Sequence, residues 1–163
     1  MQEQRKRPGK FNKRTEERDE IYKDTVVEIK RVSKKTPGGG RMSFTALVVV
    51  GDRKGTLGVG LGKAATVKAA MDKGKKKAKK SLFTVFLKDK TIPHDIFVKR
   101  GAAKVFVKPA PEGAGIIAGG AARAVVELAG IENVSVKLLG TSNKASNVYA
   151  TIEALKKLRQ VKS

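Results

Sequence analysis

The sequence predicts an α+β fold in two small domains. Three patterns predict it: apolar and polar residues alternate with period two between Thr25 and Leu61, small apolar residues recur at helical spacing from Val67 to Leu82, and a second series of strand, helix, strand and helix patterns begins at Ile96. The 163 residues, 40% of them hydrophobic, suffice for a modest core.

The elements follow in chain order. Residues 1–20 lack apolar periodicity, with Phe11 the one large apolar residue besides Met1, and read as a basic flexible arm. Residues 21–87 read as the first domain. Val27 and Ile29 alternate with Glu28 and Lys30 in a first strand, "MSFTALVVV" gives a second, and Leu57, Val59 and Leu61 alternate with Thr56, Gly58 and Gly60 in a third. The polar turn "GDRKG" makes the last two an antiparallel hairpin, whereas "KKTPGGGR" predicts a projecting glycine-rich loop between the first two. Thr66 caps a helix whose stripe is Val67, Ala70, Met71, Gly74, Ala78 and Leu82; three strands and a helix result. Phe83, Val85 and Leu87 alternate before a Pro-containing turn.

Residues 88–163 read as the second domain. "IFVKRGAAKVFVKPAP" is a strand pattern, "EGAGIIAGGAARAVVELAG" runs from a glycine loop into a helix closed by Gly130, "VSVKLL" is a short strand and "TSNKASNVYATIEALKKLR" a final helix. No repeat of fixed period relates the two halves.

Charge narrows the function. There are 36 Lys and Arg against 15 Asp and Glu, a formal net charge of +21, and residues 21–87 alone hold sixteen bases and four acids. Self-repulsion of that size is relieved by a polyanion. The longest aliphatic run, Ala46 to Val50, is far short of the roughly 20 residues of a membrane span, so nucleic acid is the expected polyanion, with no membrane partner. The N-terminus lacks a signal-peptide core, and the absence of cysteine removes disulfides and thiolate metal sites, which fits the cytoplasm. Lys68, Lys75 and Lys79 line one flank of the first helix, and with so few acids this face reads as a phosphate-binding surface rather than a solvated one. With six Phe, two Tyr and no Trp, stacking on single strands has weak support and phosphate contact should dominate.

The chemical motifs fail one by one. From Gly58 to the Gly62-Lys63 pair there are three intervening residues where a Walker A loop needs four, and Ala64 stands where its hydroxyl belongs. Gly-x-Gly-x-Gly is not a dinucleotide fingerprint, so these glycines read as clearance for a close-packed backbone or helix. "PEGAGIIAGG" looks like the loop of a small-molecule kinase, but Glu112 is the only acid close by, so a phosphoryl-transfer role for 113–120 is the weaker alternative, and a free RNA chaperone another. His94 is the only histidine and builds neither triad nor metal site. No catalytic residue, metal, cofactor or small-molecule substrate is expected.

"VVEIKRVSKKTPGGGRMSFTALVVVGD", "GVGLGKA", "VFVKPAPEGAGIIAGGAARAVVELAGI" and the closing "TSN…ATIEAL" together closely resemble the bacterial small-subunit ribosomal protein S-five family, in order from about Val26 to Leu158. The resemblance implies a double-stranded-RNA-binding-like first domain and a two-layer α+β second domain with a left-handed βαβ crossover. It implies assembly on 16S ribosomal RNA beside proteins S-four and S-eight, near the messenger's path into the subunit, and a link to decoding accuracy. It implies a loop near the spectinomycin site, here Ser33 to Arg41 with Gly38 and Gly39 on the family's glycine pair. It also implies a surface towards S-four that includes Gly115 and Arg123, although Arg123 could instead pair with Glu127 one turn on. Pro37, Gly40 and Tyr149 depart from the family's common lysine, arginine and arginine, each removing a cation. The expected RNA-binding set is Arg31, Lys34, Lys35, Gly38, Gly39, Arg41, Arg53, Lys54, Lys63, Lys68, Lys75 and Lys79.

Overall fold

The computed structural model describes residues 22–159, so the arm expected over residues 1–20 lies outside the described residues. The first sheet has strand order β1-β2-β3-β4, every pair antiparallel: β1 (Lys23–Thr36), β2 (Gly39–Gly51), β3 (Thr56–Ala64) and β4 (Phe83–Thr84). Two expectations change here. Three strands were predicted and four are present, because Phe83 and Thr84 pair with Leu57 and Thr56, and the amide of Val85 donates to Gly55 O at 2.8 Å. The predicted glycine loop is largely ladder: Lys34 faces Arg41, Lys35 faces Gly40 and Thr36 faces Gly39, leaving Pro37 and Gly38 as a two-residue turn. Glycines cannot prevent pairing where both strands are already in register, and the hydroxyl of Thr36 closes the turn by donating to Gly39 O at 2.6 Å. The hairpin still projects, since a Cβ added at Gly38, Gly39 or Gly40 would meet nothing within 4 Å.

Helix α1 (Val67–Lys80) starts where Thr66 was expected to cap it, the hydroxyl accepting from Ala69 N at 3.4 Å. It buries Ala70, Gly74 and Ala78 against one face of the sheet. Gly58, Gly60 and Gly62 on β3 make this possible: a Cβ on them would run into the backbone of Ala78, Gly74 and Ala70 respectively. The alternating glycines are clearance for a helix, as the sequence suggested.

The second sheet is mixed, in order β5-β6-β8-β7: β5 (Ile96–Arg100), β6 (Ala103–Pro109), β7 (Ile116–Ala118) and β8 (Val134–Leu139), with only β7 and β8 parallel. The run read as one strand pattern from Ile96 is a hairpin that turns at Gly101 (φ 58°), and the glycine loop contains β7. Helix α2 (Gly120–Ala129) ends at Gly130 in the left-handed region, as predicted, and α3 (Lys144–Lys156) is capped by Asn143, whose side chain accepts from Ala145 N at 3.1 Å.

Helices α2 and α3 pack on each other, α2 against β1, β2, β3 and β7, and α3 against β5 and β6, so the two helices lie between the sheets. Residues 46–51 of β2 are therefore buried on both faces. Ala46, Val48 and Val50 face α1, while Leu47, Val49 and Leu57 enter a core shared with Val105, Val125, Val136, Val148 and Leu155.

Candidate nucleic-acid interface

Directly opposed residues of an antiparallel pair share a face, so the register sorts the cations of the β1/β2 hairpin. Lys34 and Arg41 lie on one face with Val32, Ser43, Thr45 and Lys63; Arg31, Lys35, Met42 and Phe44 lie on the other, which is the α1 side. The first group lines a shallow groove of about 240 Å³ formed by Val32, Ser33, Lys34, Arg41, Ser43 and Lys63. Lys30 falls on this face too, although it also reaches Glu28 at 3.0 Å; sequence reasoning missed it because the register was needed to find it.

On α1 the expected flank is only partly available. Lys68 is exposed, but Lys75 is partly buried and pairs with Asp24 at 3.0 Å, and Lys79 is partly buried and engaged. Lys77 Nζ donates to Leu61 O at 3.0 Å on the opposite flank. The residues turned away from the stripe of Ala70, Gly74 and Ala78 include Lys73, Lys76 and Lys80 with Asp72 among them, all exposed, so this face is cationic but carries one acid.

Arg53 and Lys54 do not join this surface. They sit in the β2/β3 turn at the far end of β2 from the hairpin tip, roughly 40 Å away along the 13-residue strand. The turn is docked on the end of α2: Arg53 N donates to Leu128 O at 3.0 Å and Gly55 N to Ala129 O at 2.9 Å. Arg53 has φ 58°, and a Cβ on Gly130 would strike its carbonyl. Asp52 organises the turn by accepting from Lys54 N at 2.7 Å and Thr56 N at 2.9 Å. Partial burial would raise its carboxyl, but those hydrogen bonds to the ionised form outweigh it and hold Asp52 below the usual carboxylate value.

The same turn forms a mixed-charge site. The Arg53 guanidinium lies 3.4 Å from Glu127, and Arg123 donates instead to Ile116 O at 3.4 Å, so the alternative pairing of Arg123 with Glu127 is not the one formed. Arg53, Ile116, Arg123, Glu127, Gly130, Ile131 and Glu132 line an open groove of about 620 Å³. Glu132 also borders a second one of about 450 Å³ beside Gly113 and Gly115. Gly115 (φ 69°) donates to the buried Asn133 side chain at 3.0 Å, which fixes the glycine loop. Gly115 and Arg123 thus lie on adjoining surfaces.

Among the described residues no three His, Cys, Asp or Glu side chains gather as metal ligands, and no helix is long and apolar enough to cross a membrane.

The description "Ribosomal protein S5, N-terminal domain" matches residues 22–86 and "Ribosomal protein S5, C-terminal domain" matches residues 98–163. The chain belongs to the ribosomal protein S5 family. It is similar to the small ribosomal subunit protein uS5 of Thermosynechococcus vestitus, 48% identical over 160 residues that cover 98% of this chain and 89% of the relative. The uS5 proteins of Rubrobacter xylanophilus and Salinibacter ruber are each 51% identical, over 136 and 140 residues; these cover 83% and 86% of this chain, and 68% and 80% of the relatives. A member of this family is a structural protein of the small ribosomal subunit, not an enzyme, and works in translation within the cytoplasmic ribosome. The glycine loop at 113–120 is accordingly part of a structural domain.

Proposed function

We propose that this S5 family member binds 16S ribosomal RNA chiefly through backbone phosphates and supports subunit assembly. The single observation that carries this reading is the cationic surface formed by the projecting hairpin and α1. Arg31 and Lys35 on the α1 side of the hairpin, Lys34, Arg41 and Lys63 on its other side, and Lys68, Lys73, Lys76 and Lys80 on α1 all stand exposed, with no ion pair among the described residues. Gly38 and Gly39 let the hairpin tip approach RNA closely. In A-form RNA the accessible features are shape, phosphate and 2′-hydroxyl, which suits such a surface. Lys75 and Lys79 contribute less because they are already engaged, and Arg53 and Lys54, at the other end of the sheet, lie outside this contact.

Residues 21–87 and 88–163 serve as the two domains. In this proposal the first meets RNA, and the second meets neighbouring ribosomal proteins, S-four at the surface of Gly115 and Arg123 and S-eight elsewhere, near the messenger's path; through S-four it bears on decoding accuracy. The mixed charge of the groove around Arg53, Arg123, Glu127 and Glu132 supports a protein rather than RNA at that surface.

The test is titration of the full chain with protein-free 16S RNA at several salt concentrations. Log affinity should fall against log salt with a slope of roughly −0.7 to −0.9 per phosphate neutralised, taking the nucleic-acid values as a guide. An affinity indifferent to salt would remove the proposal.

A further inference from the structure

The outer face of the second sheet carries an arrangement that the fold does not need. Its inner face is closed by buried Val98, Val105, Val107, Val134 and Val136 under α2 and α3. On the outer face, Phe97 and Phe106 oppose each other across β5 and β6 and remain 56% and 36% exposed. The register surrounds Phe106 with cations: Lys104 and Lys108 two residues away on its own strand, and Lys137 directly across on β8. Lys99, opposite Lys104, adds a fourth. All four lysines are exposed and have no ion pair among the described residues, and no strand residue of this face is acidic. The acid next to it in sequence is Asp95, just before β5.

We propose that this face is a stacking platform for an unpaired segment of the subunit's own RNA, with Phe97 and Phe106 under the bases and Lys99, Lys104, Lys108 and Lys137 along the backbone. A protein-docking patch gathers its apolar groups at the centre and is poor in lysine, whereas here ammonium groups stand directly beside the ring. Interleaved rings and cations are what a single strand requires, since every base offers a π-face and every nucleotide a phosphate. Leu139 (44% exposed), paired with Lys104, is a diagonal neighbour of Phe106, whereas Ile117 (58%), paired with Ser135, lies two strands from that ring, so the apolar groups stay interleaved with lysines. The scarcity of aromatic residues in the sequence had argued against stacking, but it counts rings without regard to where the fold puts them. The inference rests on the reading that the chain binds subunit RNA, and assigns it a second surface remote from the hairpin.

Two measurements on the full chain test it. In anisotropy titrations with a fluorescein-labelled uridine 12-mer, Phe97→Ala with Phe106→Ala should weaken binding about ten-fold or more without changing the salt slope, because no charge is lost. Phe106→Tyr should retain affinity and Phe106→Leu lose it; equal affinity of the Leu variant would mean the ring is not stacking and would overturn the proposal. In lysine acetylation with protein-free 16S RNA and no messenger, Lys104, Lys108 and Lys137 should become protected. Protection that appears only after the other small-subunit proteins are added makes the face a protein interface, and protection only with messenger assigns the wrong strand. Either result overturns the inference, as does no protection at all. If the hairpin lysines also stay reactive with RNA, the broader RNA-binding reading fails, which separates the two failures.

Discussion

At the scale of single residues, the β2/β3 turn shows how one carboxylate sets a backbone path. Asp52 satisfies the amides of Lys54 and Thr56, which lets Arg53 occupy the left-handed region and bring the turn onto α2. Asp52→Ala leaves those amides without their acceptor, so unfolding at pH 7 should become easier by about 1–2 kcal/mol. Because the folded carboxyl titrates below its unfolded value, its contribution is complete above that unfolded value, near 4, and fades as pH falls through the folded one. Denaturant unfolding of the two proteins should therefore differ at pH 7 and converge towards pH 2. A gap unchanged with pH would show that the ionised form is not what holds the turn. Little of this was legible in the sequence: "GDRKG" announces a turn, but its anchor at Leu128 and Ala129 lies more than seventy residues on.

At the scale of elements, the pairing of β3 with α1 depends on absent side chains. Gly60→Ala would push a methyl group into the Gly74 carbonyl and the Ala78 amide, so it should destabilise by about 1–3 kcal/mol or more. Gly40→Ala, in open space on the hairpin, should change stability by less than about 0.5 kcal/mol; chemical denaturation of both variants checks the contrast. The hairpin also carries a functional prediction. Lys34→Glu with Lys35→Glu places acids on both faces of its tip and should reduce incorporation into small subunits, read by sedimentation at moderate salt. Lys156→Glu with Lys157→Glu should leave incorporation largely intact, because those residues have local tasks: Lys156 lies 4.6 Å over the Phe83 ring and Lys157 pairs with Glu153 at 3.1 Å. Equal losses would mean that the footprint is misplaced.

Elements with complete local signals could be read directly, as with the cap at Thr66, the stop at Gly130 and the strand "VSVKLL". The β5/β6 hairpin was misread although its signal was present: the buried positions move from even numbers at Val98 to odd at Ala103, Val105 and Val107, and such a parity change marks a turn. Three-residue β7 is too short to display alternation. The candidate site was legible as a quantity of positive charge and much less as a surface. Lys75 was lost to Asp24, which is distant in sequence, and the sorting of hairpin cations onto faces required the register.

At the scale of the whole molecule, the two domains read from sequence share a core. Leu47, Val49 and Leu57 of the first sheet pack in one cluster with Val98, Val105, Val125 and Leu155, and the Arg53 turn is hydrogen-bonded to α2. A sheet with one face on α1 and the other on α2 and α3 loses half its burial if the second unit melts, so the two should unfold together. Leu57 is fully buried at this junction, and Leu57→Ala should cost about 2–5 kcal/mol. The location of that loss is the informative part. Native-state hydrogen exchange followed at Val48 on the first sheet and Val105 on the second should show equal opening free energies in the parent chain, and equal reductions in the variant. Val48 lies in the same sheet as Leu57, whereas Val105 lies in the other sheet and distant in sequence, so only a common unfolding event would couple Val105 to the change at residue 57. A drop confined to Val48 would mean that the second sheet keeps its structure when the first opens, and the junction would then be a hinge between independent units rather than one core.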